Sequence, residues 1–411
     1  MNRQLSLDAT VSGLLPVGPL HPHIAGLAES FTGQGYSSYS TDVKIRLLRN
    51  LDRWCMKHRI GIDDLDETQI QKFLHFRRIR GHARNGDPST LWSLLKYLRE
   101  ENLTPPAVET TDDALQQLQA RFGQYLAEER GLKQATLDWY LFETKRFLSA
   151  RFGKDRLLLG ELSQRDIIRF VLRRARAISP SGAKRATTVL RGFLRFLYER
   201  GEIATNLAAS VPRVANWSCA GLPKFLAPDA VERILQTCDE QSAEGRRDHS
   251  ILILLARLGL RAGEVVQMTL DDIDWDRGEL MVRGKGGRQD RLPIPKDVGR
   301  ALAKYIRRAR PRCSSRRVFI RLRAPHCGLA GPSTVDFVVR SALKRAGLSP
   351  AHKGAHMLRH SLATRMLGSG ASLTEIGKIL RHQSPSTTAI YAKVDLAALR
   401  SLTQPWPGGA A

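Results

Sequence analysis

Long apolar runs, paired cysteines and clustered carboxylates are all missing from this sequence. No stretch reaches 18 consecutive apolar residues. The longest run, Ile251 to Ala256, has the length of a buried helix segment and not of a membrane span. The opening MNRQLSLDATVSGLLPVGPL lacks a charged start followed by an uninterrupted apolar core, so no secretory leader is expected and the chain should stay in the cytoplasm. Five cysteines (Cys55, Cys219, Cys238, Cys313 and Cys327) form an odd set with no Cys-x-x-Cys pair, which argues against a disulfide framework or a zinc site. No carboxylates stand at metal-ligand spacing, and neither a metal nor a cofactor is expected. The glycine-flanked Lys285 does not form a phosphate-binding Walker loop. Glu279 stands where that loop needs its first glycine, and Gly286 stands where it needs Ser or Thr.

Positive charge is what the chain has in excess. The net charge is +25 over 411 residues, at 42% hydrophobic and 26% charged content, which describes a globular chain of two or three domains. The charge is uneven. Residues 1–110 carry fourteen Lys and Arg against twelve Asp and Glu, 111–220 carry nineteen against eleven, and 221–411 carry thirty-two against seventeen. A polyanion partner, nucleic acid above all, is therefore expected along the last three hundred residues, with salt-sensitive affinity. The first third reads instead as an interaction module.

The pattern along the chain is mainly helical. Residues 1–34 read as an irregular lead rich in Gly, Pro and His. Ser37 to Leu103 shows helical apolar spacing, and Ala114 to about Ile203 shows it again. The segment beginning Leu65 aligns with that beginning Leu162, and Leu94 to Glu100 with Phe193 to Glu199, at offsets of 97 and 99. The first region thus reads as a divergent duplicate of the second. The segments are a helical extension at 1–110, a helical domain at 111–205, a linker at 206–222 and a second domain at 223–411 ending in a tail with Leu396, Leu399, Leu402 and Trp406. In that last domain Leu280 to Arg283 and Arg291 to Ile294 flank glycines at 284, 286 and 287 and predict a hairpin, with Val318 to Ile320 as a third strand. The fold class is therefore mainly α with a small antiparallel sheet.

Six side chains in the last 190 residues can meet one phosphodiester. Arg261 follows a turn and opens a helix, which suits a phosphate, and Glu264 lies three residues on. Lys285 sits at the predicted hairpin tip, where a mobile lysine can deliver a proton. His356 and Arg359 share a helix face at i,i+3, with His360 read as facing the packing. His382 precedes Tyr391 by nine residues, with Ser384, Ser386, Thr387 and Thr388 suited to a turn and helix cap between them. Each alone reads more simply as a surface or core residue. Together, in this order and in a +15 region, they read as a site.

The segments LGLRAGEV, VRGKGGRQDRLPIP, HMLRHSLATRML and LRHQSPSTTAIYAKVD resemble the tyrosine recombinases, the phage-integrase-like and Xer-like enzymes, over roughly residues 112–395. The resemblance implies a helical SAM-like core-binding domain and an α+β catalytic domain, closed as a clamp on double-stranded DNA. It implies Tyr391 as nucleophile through a 3′-phosphotyrosyl intermediate. Arg261, Arg359 and His382 would sit on the phosphate, Lys285 would be the general acid and His356 would assist proton transfer. Glu264 would support the pocket. No metal, ATP or membrane is implied. Arg173, Arg174, Lys184, Arg185, Arg288 and Arg381 would contact DNA, and the assembly would be a homo-tetramer, or a hetero-tetramer with related recombinases, on two DNA sites in the nucleoid. The tail would pack on a neighbouring protomer or in cis. Arg381 departs from the family, which more often has Gly before the histidine, and residues 1–110 are an extension its typical members lack. A mobile-element integrase or transposase fits best. The alternatives are a chromosomal Xer-like resolvase, a supercoil-relaxing type IB topoisomerase and a non-catalytic DNA-binding regulator.

Overall fold

The computed structural model describes residues 18–106, 114–153, 157–215, 224–284 and 288–394. They fall into two compact units, one formed by the N-terminal residues to 106 together with those from 221 onward, the other by 107–220. The N-terminal module and the C-terminal domain therefore share a unit, although each has its own apolar core.

Among the described residues the N-terminal module has four helices: α1 (His21–Gly33), α2 (Ser38–His58), α3 (Glu67–Ile79) and α4 (Asp87–Glu100). Helix α1 stands in the later part of the expected irregular lead, whose residues 1–17 lie outside the described residues. Pro22 and Gly33 look like helix breakers in the sequence, but they occupy the first turn and the last position of the helix, where each is tolerated. Its apolar face (Ile24, Leu27 and Phe31) joins Leu48, Leu51, Phe73 and Leu94 in the core. The buried Asp52 of α2 accepts the backbone N–H of Leu20 at 2.8 Å and fixes the entry to α1.

The second unit is also four helices, α5 (Ala114–Glu128), α6 (Gln134–Phe152), α7 (Gln164–Ala177) and α8 (Pro180–Glu199). Their order matches that of α1 to α4. Asp66 caps α3 and Ser163 caps α7, each accepting from the backbone N–H three residues on. The start of the expected linker belongs to this unit. Ala208 and Val211 are buried in its core, and Arg191 Nη2 donates to the carbonyls of Val211 and Pro212 at 3.1 and 2.9 Å.

The C-terminal domain is built around α10 (Ala243–Leu258), which is buried almost all round, as its apolar run demands. It packs against α9 (Pro228–Gln236), α12 (Lys296–Arg308), α13 (Pro332–Arg345) and α14 (Ala355–Gly368). The six-residue α11 (Ala262–Gln267) follows α10 and leads to a three-stranded antiparallel sheet in the order β1 (Ile273–Asp274), β2 (Glu279–Arg283), β3 (Gln289–Pro293). The hairpin forms where glycines predict it, with Val282 opposite Asp290 and the Gly284 N–H donating to the Arg288 carbonyl at 2.8 Å. The third strand is β1 and not Val318 to Ile320. Those three residues are fully buried, and among the described residues Ile320 makes only an isolated bridge to Gly328. Apolar β-branched character marks them correctly as core but not as a strand, because burial alone does not distinguish the two. Helices α15 (Leu373–Ile379) and α16 (Pro385–Thr388) and a 3-10 turn at Ala389–Val394 follow to the end of the described residues.

Candidate active site

Two turns and one helix start bring the described candidate residues together. Gly259 ends α10 in the left-handed region (φ 57°), so that Arg261, two residues on, caps α11 from outside. Helix α14 carries the His-x-x-Arg pair, and its start is held by Asp336 of α13, whose Oδ1 accepts from Ala355 N at 2.8 Å. Arg381, also left-handed at φ 55°, turns the chain from α15 towards His382 and Tyr391. The family's usual glycine at this position has a physical reason, since only glycine reaches this conformation without strain.

Glu264 is the hub. It is buried and accepts from Arg261 N at 2.8 Å, Arg261 Nη1 at 2.7 Å and Arg381 Nη2 at 2.9 Å. Burial by itself would raise its carboxyl, but Arg381 and the Arg261 contacts outweigh that and hold it below the ordinary range. Arg381, expected as a DNA contact, is paired within the site. Its side chain is only 5% exposed and neutralises Glu264, while the residue lines the same groove as Arg261. Arg174, another expected DNA contact, is likewise spent internally, forked onto the buried Glu143 at 3.1 and 2.5 Å. By contrast Arg173, Lys184, Arg185 and Arg288 are exposed.

Arg359 is fully buried. Its Nη1 and Nη2 donate to the carbonyls of Gly259 and Leu380, and its Nε has no partner among the described residues. Desolvation, then Arg261 and Arg381, lower its basicity, yet it stays protonated at neutral pH. Arg261 remains more open, at 38% side-chain exposure. It lines a groove of about 940 Å³ with His382, Arg288, Lys378 and Gly284. Lys285 lies outside the described residues, but Gly284 and Arg288 on either side of the tip line this same groove. Arg283 anchors the hairpin beneath them through the buried Asp272, at 2.8 Å.

Tyr391 is 1% exposed and lies between two imidazoles. Its ring stacks on His382 with centroids 6.4 Å apart and meets His360 edge-on at 5.5 Å. Its hydroxyl is 2.8 Å from His360 Nδ1. Burial pushes the phenol up to about 12, against a smaller opposing pull from Arg359, so it is protonated and we assign it as the donor to Nδ1. His360 therefore does not face the packing. At i+4 from His356 it shares the helix face with that residue, and its ring meets His356 edge-on at 4.7 Å. The helical period carries that signal, which the i,i+3 reading assigns to His356 and Arg359 alone. Thr388, expected only as part of the turn and cap, holds His382 through Oγ1 at 2.7 Å from Nδ1. Tail residues Leu396, Leu399, Leu402 and Trp406 lie outside the described residues.

All three imidazoles lose basicity. Desolvation comes first for each. His356, Arg359 and the nearby Arg261 add repulsion, taking His360 and His382 down to about 4, while His356, open to solvent on one side, shifts the same way. Between about 4 and 6.5 the unfolded chain binds more protons at His360 and His382 than the folded one. Stability from these residues is therefore fully present above 6.5 and lost as pH falls towards 4. Melting temperature measured from pH 8 to 4 should fall in that window, and His360→Gln should flatten the fall. A melting curve independent of pH there would refute neutral imidazoles.

Gly259 can be tested directly. A Cβ would lie 2.7 Å from Leu380 Cδ2 and 3.0 Å from Leu362 Cδ2, on a left-handed backbone. Gly259→Ala is expected to cost about 1–2 kcal/mol from the backbone alone, read by urea denaturation, and to shift the carbonyl that Arg359 uses. A variant as stable as the parent would remove this reading.

Residues 224–397 match the phage integrase family. The chain is 42% identical over 397 residues to a Sinorhizobium fredii protein named as an integrase/recombinase, y4rA, a match covering 96% of each chain. It is 31% identical over 302 residues to tyrosine recombinase XerD of Mycobacterium tuberculosis, covering 69% of this chain and 94% of the relative. The first match must include most of the N-terminal module, whereas the second leaves about a third of the chain uncovered. Among solved structures, XerH site-specific recombinase in a post-cleavage complex with palindromic difH substrate shares the fold, with TM-score 0.54 and 18% identity over 73% of this chain and 98% of that one. Full-length likeness to y4rA, the likeness to XerD and the shared fold agree: this chain belongs to the phage integrase family of tyrosine recombinases, enzymes that break and rejoin DNA.

Proposed function

We propose that this chain is a site-specific recombinase that cuts and rejoins double-stranded DNA through a 3′-phosphotyrosyl bond to Tyr391. The observation that carries the reading is the Tyr391 hydroxyl on His360, in a shell that also holds His382 and Arg359. The phenol oxygen bonds to phosphorus as the bond to the 5′ oxygen breaks. The phenol proton passes towards the His360–His356 pair, and Lys285 protonates the leaving oxygen. Arg261 meets the charge that builds on the non-bridging oxygens, joined by Arg359 once it releases the Gly259 and Leu380 carbonyls, with His382 as a further donor. Neutral imidazoles suit this division, since one accepts a proton while another donates from its remaining N–H. Rejoining reverses the step with the 5′ hydroxyl of a partner strand, so phosphodiester energy is kept and neither ATP nor a metal enters.

Because Tyr391 is buried, attack requires the segment from α16 to Val394 to shift towards bound DNA. The two four-helix sets, with N-caps 97 residues apart, support the N-terminal module as a divergent duplicate of the core-binding domain. Exposed Arg173, Lys184 and Arg185 suit phosphate contact there. We assign the working assembly as a tetramer on two DNA sites in the cytoplasm. The integrase/recombinase name of a relative matching nearly end to end favours a mobile element over chromosomal resolution.

The test is to incubate the protein in EDTA, without ATP, with nicked duplexes carrying the termini of its own genomic neighbourhood. A denaturation-stable adduct whose linked peptide contains Tyr391 is expected. Linkage at another residue, or cleavage that requires a divalent ion, would overturn the mechanism.

A further inference from the structure

The N-terminal module carries a groove of about 780 Å³ between α2 and the end of α3, within a segment whose overall charge is close to neutral. Arg46, Arg53 and Lys57 stand along one wall, on the same stripe of α2 at helical spacing. Arg80 and Arg84 stand on the facing wall. All five are exposed, and none forms an ion pair among the described residues. The one acid in the lining, Asp87, is buried and already taken. It accepts Arg77 Nε at 2.9 Å and Arg84 N at 3.0 Å, and so fixes the second wall in place. Arg77 Nη2 completes that wall on the His82 carbonyl at 2.6 Å. The floor is aromatic, with Trp54 against Phe73 at 5.6 Å and Arg80 over Phe76 at 4.7 Å.

The near-neutral total is therefore misleading, because the fold gathers the cations in one trough and leaves the other acids outside it. Two facing rows of guanidinium and ammonium groups, stiffened by an internal ion pair, match the repeating charge of a phosphodiester backbone better than any single anion. The groove is open, so it suits a chain running through it. We propose that it binds the sugar–phosphate backbone of double-stranded DNA outside the segment being cut, making the N-terminal module a second DNA contact. The ligand class follows from the groove, but the position relative to the cut rests on the recombinase reading above.

The experiment uses the full chain and two probes. A long mixed-sequence duplex is titrated by fluorescence anisotropy at several salt concentrations, and a short nicked duplex is used for adduct formation. In Arg53→Ala/Lys57→Ala/Arg80→Ala the salt slope on the long duplex should fall by roughly two to three, at about 0.9 for each phosphate that is no longer neutralised. Adduct formation on the short duplex should be unchanged. The charge-keeping Arg53→Lys/Arg80→Lys should retain the wild-type slope, which guards against a folding defect. An unchanged slope in the triple Ala variant would overturn the groove proposal, as would an equal loss in the Lys variant. Absence of any adduct from the wild-type protein would instead overturn the recombinase reading and leave the slope comparison standing.

Discussion

Replacing Tyr391 with phenylalanine is expected to abolish covalent capture of DNA, with a fall of more than about a thousandfold in cleavage, while leaving the fold intact. Phenylalanine fills the same buried slot between His360 and His382. Only the hydroxyl is lost, with its hydrogen bond to His360, a change of about 1 kcal/mol in stability. Cleavage and stability thus separate, and the separation is the test. Duplex binding by anisotropy should stay within about twofold, because the hydroxyl is buried and adds nothing to the DNA-facing surface. Adduct that survives in the Phe variant would mean a different nucleophile. Loss of folding together with activity would mean the hydroxyl serves the core and not the chemistry.

Removing Glu264 is expected to be the most destabilising single change in the site. Glu264→Ala leaves the Arg381 guanidinium buried without its carboxylate, close to Arg359 and Arg261, which are like charges. Breaking one partner of a buried pair costs about 3–5 kcal/mol, or a fall in Tm of roughly 6–20 °C for a domain of this size. Activity should fall with it, since the same carboxylate holds Arg261 by both its backbone and its side chain. The double variant Glu264→Ala/Arg381→Gly removes the orphaned charge and also the left-handed non-glycine residue. It should be more stable than Glu264→Ala alone, by a coupling readable in a double-mutant cycle. Additive losses would show that the two residues do not form a unit.

Much of the site is legible in the sequence because its chemistry repeats at fixed spacing. Arg261 with Glu264, His356 with Arg359, and His382 ahead of Tyr391 are local relations, and secondary structure carries local relations directly into space. The hairpin is legible for the same reason, since glycines at its tip dictate the turn. What fails is any judgement about where a polar side chain spends its charge. Arg381 and Arg174 read as DNA contacts because sequence shows a charge but not its partner. Glu264 is 117 positions from Arg381, and Glu143 is 31 from Arg174. His360 is misplaced for a narrower reason, the choice of one helical neighbour over another on the same face. Helix α1 escapes the pattern because Pro and Gly stop a helix in its interior but suit its ends.

The sequence by itself determined the family and the candidate chemistry, because phenol, cations and imidazoles are set by residue type and order. It also determined the class of fold, through apolar periods of a helix and one glycine-tipped hairpin. Only the tertiary structure decided which charges are free and which are spent. It alone showed Tyr391 buried against His360, and the cations of a nearly neutral module drawn into one groove. The physical reason is that burial and pairing depend on residues far apart in the chain, and the cost of burying a charge is settled by whichever partner the fold delivers.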